Sequence, residues 1–575
     1  MSPPNTDVTA QDVDVESRAD RDSDVESVGG QRNTMTTKRL LVAIPALSVA
    51  LFVSFIDQTS VSTATPSIAD DLNTGAATSW IGASFLIAST AFQLINGRLS
   101  DIFGRKNLLL ICLGLMAIGD LGCGFARTAE QLFACRAIAG IGGGGINSLV
   151  MIIVSDITTL QNRGTYQGLL GGVIALGNGL GPLLGGTIAQ KANWRWVFWL
   201  IPILMLPTAA IMTFFLPLKH RSGDHAAKVK KIDFGGIALN MAATLLVLIP
   251  LSGAGVTYAW TSAFFLSATI IGLVLSVVFV LYEWKVPALP IMPLRLYCAP
   301  HVWALLLQSF LMGQAYFGGL FYLPIYFQSV LGYQPMAAGL LVLPLVISSS
   351  FASIGCGLYM KWANKYMSCV FSGFLLWTLG GGLNLLFDAD TDLATLIGIL
   401  IVQGIGIGLT LQPTLVGMYA NSLNEDRAVL TGLRNFIRTI GGSFGLVVSG
   451  VILSNTLGTQ LAGDQSMMGV QISQLTSSIS SLDELNLSED QRSTVLDAYM
   501  LGLHYVFIFY VACTGLCLIL TYWIGNTSLS KEEKMDDEET DITETETEEK
   551  SAKGEVAVQG PVMGPDPNGR QDEKQ

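Results

Sequence analysis

Three ionisable residues stand inside long apolar stretches: Asp57 in Phe55-Ile56-Asp57-Gln58-Thr59, Asp120 in Ile118-Gly119-Asp120-Leu121, and Arg136 in Ala134-Cys135-Arg136-Ala137-Ile138. A carboxylate in apolar surroundings is costly when charged, and a neighbouring guanidinium makes the charged form affordable. The chemistry such a set offers is proton uptake and release. For Asp57 the plainer alternative is an interfacial residue at a helix end, and for Asp120 a structural ion pair. Arg434 and Arg438 are four residues apart and share a helix face. They either line an anion-friendly cavity or snorkel toward a charged loop. Gln308, Gln314, Gln403 and Gln412 are amides in apolar spans; each is a substrate-cavity candidate or a bridge between helices.

Two glycine-rich elements carry further pattern. Gly97-Arg98-Leu99-Ser100-Asp101-Ile102-Phe103-Gly104-Arg105-Lys106 sets one acid among basic residues at a tight turn. Asp101 can engage basic groups there, contacts that form when one end of a helix bundle closes, so the loop reads as a gate. Mere topology is the bland alternative. Gly177-Asn178-Gly179-Leu180-Gly181-Pro182-Leu183-Leu184-Gly185-Gly186 permits close helix approach, with Pro182 allowing a bend.

These residues need a scaffold, and composition says which. Half of the 575 residues are hydrophobic and 13% are charged, with mean hydropathy +0.51. Soluble domains carry roughly 25% charge, so the bilayer is the expected solvent. Windows of about twenty apolar residues fall near 40–62, 79–99, 107–126, 131–155, 165–189, 196–217, 233–254, 262–283, 303–331, 337–359, 367–387, 393–418, 430–453 and 502–524. The stretch at 430 is the weakest, being interrupted by two arginines. An even count puts both tails on one side, and loops on that side hold Arg105, Lys106, Arg163, Lys219, Arg221, Lys228, Lys230, Lys231, Lys285, Arg295, Lys361, Lys365 and Arg427. That bias predicts cytosolic tails. The formal charge of −12 resides in those tails: residues 1–37 hold eight acids against three arginines. Asn486 lies in the longest outer loop, 454–501, as a glycosylation acceptor. No cleavable signal peptide is expected, and the eight cysteines are expected to form no structural disulfide.

An internal repeat organises the spans. Gly140, Gly142 and Gly144 recur as Gly404, Gly406 and Gly408, while Arg163, Gly168, Gly177 and Gly181 recur as Arg427, Gly432, Gly441 and Gly445, all 264 residues on. Gly97, Asp101 and Arg105 echo at Gly357, Lys361 and Lys365, 260 residues on. Two parallel six-helix halves with an inserted helix pair follow, the layout of transporters that rock two bundles about a central site. The expected plan is a disordered tail 1–39, a six-helix bundle 40–218, a loop and inserted helices 219–285, a second bundle 286–525, and a disordered acidic tail 526–575.

The loop at 97–106 resembles the G-x-L-x-D-R-x-G-R-K signature of the major facilitator superfamily, with Asp101, Gly104, Arg105 and Lys106 matching and Ile102 departing. Gly177, Gly181, Pro182, Gly185 and Gly186 match the G-x-x-x-G-P-x-x-G-G element of its antiporters. Asp57, Thr59, Val61, Ala64 and Pro66 resemble L-D-x-T-V-V-N-V-A-L-P of the fourteen-span drug:proton branch; Ser60, Ser62 and Thr65 depart and suggest a wetter wall. Arg136 matches L-x-x-x-R-x-x-x-G, which that family implicates in proton transfer. The resemblance spans about residues 40–525, is to fungal efflux pumps of that branch, and implies an all-α polytopic fold of about fourteen helices.

No Walker loop or metal-like histidine spacing occurs; His220, His225, His301 and His504 are scattered. The expectation is a proton-coupled antiporter exporting small organic molecules across the plasma membrane. A vacuolar basic amino acid/proton exchanger and a membrane sensor are the alternatives. Expected partners are a small-molecule substrate, protons and lipid, without nucleic acid, cofactor or metal; the chain is expected to be a monomer and no enzyme.

Overall fold

The computed structural model describes residues 37–525, apart from 75–79, 159, 216–232, 254–257, 259–260, 287–289, 300, 423–425 and 463–488. The tails and Asn486 therefore lie outside the described residues. Among the described residues fourteen long helices run in chain order: α1 Thr37–Leu72, α2 Trp80–Phe103, α3 Arg105–Phe125, α4 Ala129–Ile157, α5 Leu160–Lys191, α6 Arg195–Phe215, α7 Phe234–Ser252, α8 Ala263–Lys285, α9 Val302–Ser329, α10 Leu343–Ala363, α11 Met367–Leu383, α12 Leu393–Ala420, α13 Arg427–Ala462 and α14 Glu489–Leu520. A short helix, Pro335–Leu341, leads into α10.

Among the described residues thirteen helices are long and apolar enough to cross a membrane. The one of spanning length that falls outside this set is α2, which carries Gln93, Asn96, Arg98 and Asp101. The arginine-interrupted α13 qualifies. Polar side chains thus concentrate where α2 turns inward: Gln93 and Asn96 are buried. Large apolar side chains face outward on α8, where Ile270, Leu273, Val277 and Leu281 are exposed. Buried polar groups with an apolar exterior invert the soluble pattern and suit a lipid surround.

The repeat is written into the packing. On α4, Gly140 backs onto Phe85 and Gly144 onto Ser89; on α12, Gly404 backs onto Leu345 and Gly408 onto Ser349. Both facing pairs keep the 260-residue offset that links α2 to α10. Gly168 of α5 meets Ser353 of α10, and Gly432 of α13 meets Gln93 of α2. The same glycine position therefore reaches across to the other half in each direction. A further offset was not read from the sequence: Gly181 faces Thr59 and Gly445 faces Gln314, 255 residues apart, which pairs α1 with α9. At each of these glycines a Cβ would sit under 3.0 Å from a neighbour, at Gly432 2.9 Å from the Gln93 carbonyl oxygen. Close helix approach is the reason for the glycine.

Among the described residues the halves are in contact chiefly through two helix pairs, α2 with α13 and α5 with α10. Gly97 lies against the Ala428 carbonyl and Gly164 against Met360. Farther along, Gly179 lies against Val346, and Thr439 Oγ1 donates to Gln93 Oε1 at 3.4 Å. The inserted pair α7 and α8 pack on each other through Gly272 and Val247. They dock on α2 where Asn240 Nδ2 donates to the Ala91 carbonyl at 3.2 Å.

Candidate functional site

The helices of the first half converge on one buried ionic cluster. Arg136 Nη1 donates to both oxygens of Asp57 at 2.9 Å and to Asp120 Oδ1 at 3.5 Å. The side chains of Arg136, Asp57 and Asp120 are at most 1% exposed. Arg136 Nε also donates to the Ile81 carbonyl at 3.4 Å, and the guanidinium lies 4.4 Å from the Phe85 ring centroid and 5.6 Å from that of Phe198. Five helices, α1, α2, α3, α4 and α6, thus meet on one side chain. Gly119 of α3 lies so close to Ala139 of α4 that a Cβ would fall 2.5 Å from the Ala139 nitrogen, and the lack of one lets Asp120 approach. Asp120 Oδ2 has no hydrogen-bond partner.

Two expectations change here. Asp57 does not end its span: α1 continues to Leu72, so the carboxylate is mid-helix and the frayed-end reading fails. Nor is the wetter wall continuous: Ser62 is exposed, Thr65 half-buried and Ser60 buried. Ser60 Oγ donates to the Asp57 carbonyl at 3.4 Å and Thr65 Oγ1 to the Val61 carbonyl at 2.7 Å, satisfying their hydroxyls within the helix. Equal depth along two spans brought Asp57 and Arg136 into range, and the structure adds Asp120 to them.

The glycine-proline element of α5 seats on α1 beside this cluster. Cβ atoms added at Gly181 and Gly185 would fall 1.9 Å from Thr59 Oγ1 and 2.0 Å from the Ser60 carbonyl oxygen. Gly177 faces Phe55 and Phe52, while Gly186 has ordinary contact distance to Thr63. Thr63 Oγ1 donates to the Pro182 carbonyl at 2.9 Å, a carbonyl on the helix that Pro182 interrupts. Asn178, inside the same element, donates through Nδ2 to Tyr316 Oη at 2.9 Å and so reaches α9 in the other half.

At the end of α2 the Asp101 loop forms a triad. Arg105 binds Asp101 Oδ1 at 2.5 Å and, through Nε, Asp156 Oδ2 at 2.8 Å, and it also donates to Ser100. Gly104 has φ +90°, a left-handed conformation that a side chain disfavours. Lys106 Nζ donates to the Thr213 carbonyl at 2.7 Å. Arg98 Nε donates to the Pro290 carbonyl at 2.9 Å, tying the loop to the segment after α8, and Arg295 binds Asp426 Oδ1 at 2.7 Å. Gly97 touches the start of α13, as above. The loop is therefore held by both halves.

In the second half the glutamines separate. Gln308 Nε2 donates to the Cys517 carbonyl at 2.7 Å and Gln314 Oε1 accepts from Cys513 Sγ at 3.5 Å, so both bridge α9 to α14 and are not cavity amides in this conformation. The two cysteines serve the same seam. Gln403 Oε1 accepts from Asn384 Nδ2 at 3.2 Å, and both residues line a small cavity with Trp377, Phe507, Tyr510 and Thr514. Gln412 lies against Gly171 of the first half, its Oε1 without a partner. Arg434 is 2% exposed and donates to the Leu411 carbonyl and to Thr414 Oγ1, which rules out snorkelling to a loop. Arg438, one turn on, is half-buried.

Sequence reasoning missed Asp156, Asp426 and the pair Asp71–Arg195, whose Nη1 and Oδ2 are 2.8 Å apart. Asp156 stands at the end of α4, seven residues before the repeated Arg163, and an acid so close to a basic turn was the available signal. Asp426 directly precedes Arg427, the repeat partner of Arg163, and offered a similar one.

A family model described as the Major Facilitator Superfamily matches residues 47–446. Citrate exporter 1 of Yarrowia lipolytica is 37% identical over 535 residues, 92% of this chain and 79% of that protein. MFS-type transporter clz4 of Cochliobolus lunatus is 35% identical, covering 85% of this chain and 86% of its own. Efflux pump dotC of Dothistroma septosporum is 36% identical, covering 73% and 72%. Among solved structures the proton:xylose symporter XylE aligns with TM-score 0.57 at 13% identity, over 86% of this chain and 98% of that one. The human organic anion transporter MFSD10 aligns with TM-score 0.53 at 14% identity, over 85% and 100%. At such identities the structures speak for the fold alone. The chain belongs to the Major Facilitator Superfamily of multi-pass membrane transporters.

Proposed function

We propose that the chain is a proton-coupled antiporter that exports small organic molecules by alternating access, with Asp57, Asp120 and Arg136 handling the proton. The observation that carries this reading is one guanidinium shared by two fully buried carboxylates. One cation neutralises one anion, and a second buried carboxylate needs a proton or a move toward water. Separating Arg136 from Asp57 raises the demand for a proton, and restoring contact releases it, so the cluster converts helix motion into proton exchange. The Asp101–Arg105–Asp156 triad acts as the gate at the cytosolic end, closed here by contacts between the halves. The seating of Gly181 and Gly185 on α1 couples α5 to the helix that carries Asp57.

Export as the direction follows the relatives, among them a citrate exporter and an efflux pump. In this reading the protein is a plasma-membrane monomer with both tails cytosolic, and it needs no cofactor, metal or catalytic residue. Arg434 and Arg438 would repel a basic amino acid, which weighs against the vacuolar exchanger. The test is efflux from cells preloaded with citrate, a lipophilic cation or a neutral dye, before and after a protonophore. Loss of efflux of the transported compound is expected; efflux that survives collapse of the gradient refutes proton coupling.

A further inference from the structure

We propose that Arg434 and Arg438 form the binding site for the carboxylate of an anionic substrate, formed by α13 where it faces the first half of the molecule. The proposal rests on the exporter reading above and narrows its substrate class.

The two side chains are one turn apart on α13. Arg434 is almost wholly enclosed, yet its partners are neutral: the Leu411 carbonyl, Thr414 Oγ1 at 3.3 Å and Asn435 Oδ1 at 3.5 Å. Its Nε has no acceptor, and neither does the buried Nε of Arg438. Among the described residues no carboxylate lies within ion-pair distance of either guanidinium. The acids of the apolar interior, Asp57 and Asp120, are held by Arg136. Two like charges, one enclosed and one half-buried, without a counter-ion are disfavoured as a purely structural arrangement. A ligand that brings negative charge removes the penalty. The guanidinium fork matches a carboxylate, and the two open Nε–H donors are suited to receive one.

The surroundings place this pair where the halves meet. Thr439, next to Arg438, donates to Gln93 of α2. Tyr316, within electrostatic reach of Arg438, accepts from Asn178 of α5. Gln412, with its own open Oε1, abuts Gly171 of α5. Neutral polar side chains from both halves thus lie at this junction, while the second half supplies the charge. Parting of the halves breaks the Gln93 and Asn178 contacts and opens the pair to one side of the membrane.

The test uses the full-length purified protein in detergent and in liposomes. The probes are acetate, succinate, citrate and benzoate, with trimethyl citrate as a neutral control and tetraphenylphosphonium as a cation. At least one carboxylate should protect the protein from thermal unfolding saturably and be transported, while trimethyl citrate does neither. Arg438→Gln should weaken that protection about 30-fold, the middle of the range for losing one charged hydrogen-bond donor, and Arg438→Lys should retain part of it. Arg434→Gln also loses the bond to the Leu411 carbonyl, so Arg438→Gln is the deciding variant. Carboxylate binding unchanged in a folded Arg438→Gln protein overturns the proposal. Transport of the cation or a neutral dye with no carboxylate bound overturns it too, and leaves the exporter reading standing. Transport of no compound of any class removes the exporter reading, and the carboxylate site with it.

Discussion

Asp57→Asn removes one charge from the buried cluster and keeps its shape. Arg136 Nη1 lies 2.9 Å from both Asp57 oxygens. Unit charges at that distance attract by about 6 kcal/mol at an effective dielectric of 20, and desolvation offsets much of it. Breaking a buried pair by deleting one partner costs about 3–5 kcal/mol. Asp120 waits at 3.5 Å, and with Asp57 neutral it is matched one to one by Arg136. The folding cost of Asp57→Asn should therefore fall to about 1.5–3 kcal/mol, the range for one lost charged hydrogen bond. Arg136→Gln strands two carboxylates and should cost the full amount. Thermal unfolding in detergent ranks the two variants, and the double variant should be less than additively worse, because the residues act on one another directly. In transport, Asp57→Asn should abolish accumulation driven by a pH gradient while leaving substrate exchange at equal pH measurable. If Asp57→Asn builds a wild-type gradient that a protonophore collapses, Asp57 is not the coupling acid, and the same experiment passes to Asp120.

Asp101→Asn should leave abundance near normal and lower transport about tenfold, or ~1.4 kcal/mol of barrier, because Arg105 keeps Asp156 while the gate loses one arm; full activity would return the loop to topology alone. Gly185→Ala should destabilise by about 1–3 kcal/mol, since its Cβ meets the Ser60 backbone oxygen, whereas Gly186→Ala, with ordinary contact to Thr63, should unfold near the wild-type temperature. Tags on both tails should bind antibody only after permeabilisation, and a tag beside Asn486 should bind on intact cells; an external C-terminus refutes the proposed orientation.

What the sequence disclosed depended on how far the chemistry is local. Membrane helices announce themselves because every backbone polar group must be satisfied within its own helix, so apolar length alone located most of them. Helix α2 was found by its apolar first half although its second half is polar, and Gln93, Asn96 and Asp101 there face protein and not lipid. Residue depth, counted along helices at ~1.5 Å per residue, put Asp57 and Arg136 level, and their contact is direct. Depth carries no azimuth, so it did not say that Asp120 shares the same guanidinium. The 264-residue offset was visible because glycine and arginine stayed put in both halves. The 255-residue offset between α1 and α9 was not, because Thr59 is matched by Gln314 and the repeat there offers little beyond the short match of Ser54-Phe55 with Ser309-Phe310. The glutamines stayed open between two readings for the opposite reason: an amide in an apolar span looks alike whether it faces a cavity, as Gln403 does, or bridges α9 to α14, as Gln308 and Gln314 do, and only the partner distinguishes the two. The open Nε atoms of Arg434 and Arg438 likewise depend on what is missing nearby.

Simultaneous recording of substrate and proton movement in liposomes holding the purified wild-type protein tests the antiporter account most directly. With the lumen acidic, addition of the transported compound outside should drive its accumulation inside together with alkalinisation of the lumen reported by an entrapped pH dye, and Asp57→Asn should abolish both signals. Accumulation with no change in luminal pH, or one equally fast without a pH gradient, would contradict the central claim that proton exchange at the Asp57–Asp120–Arg136 cluster powers export.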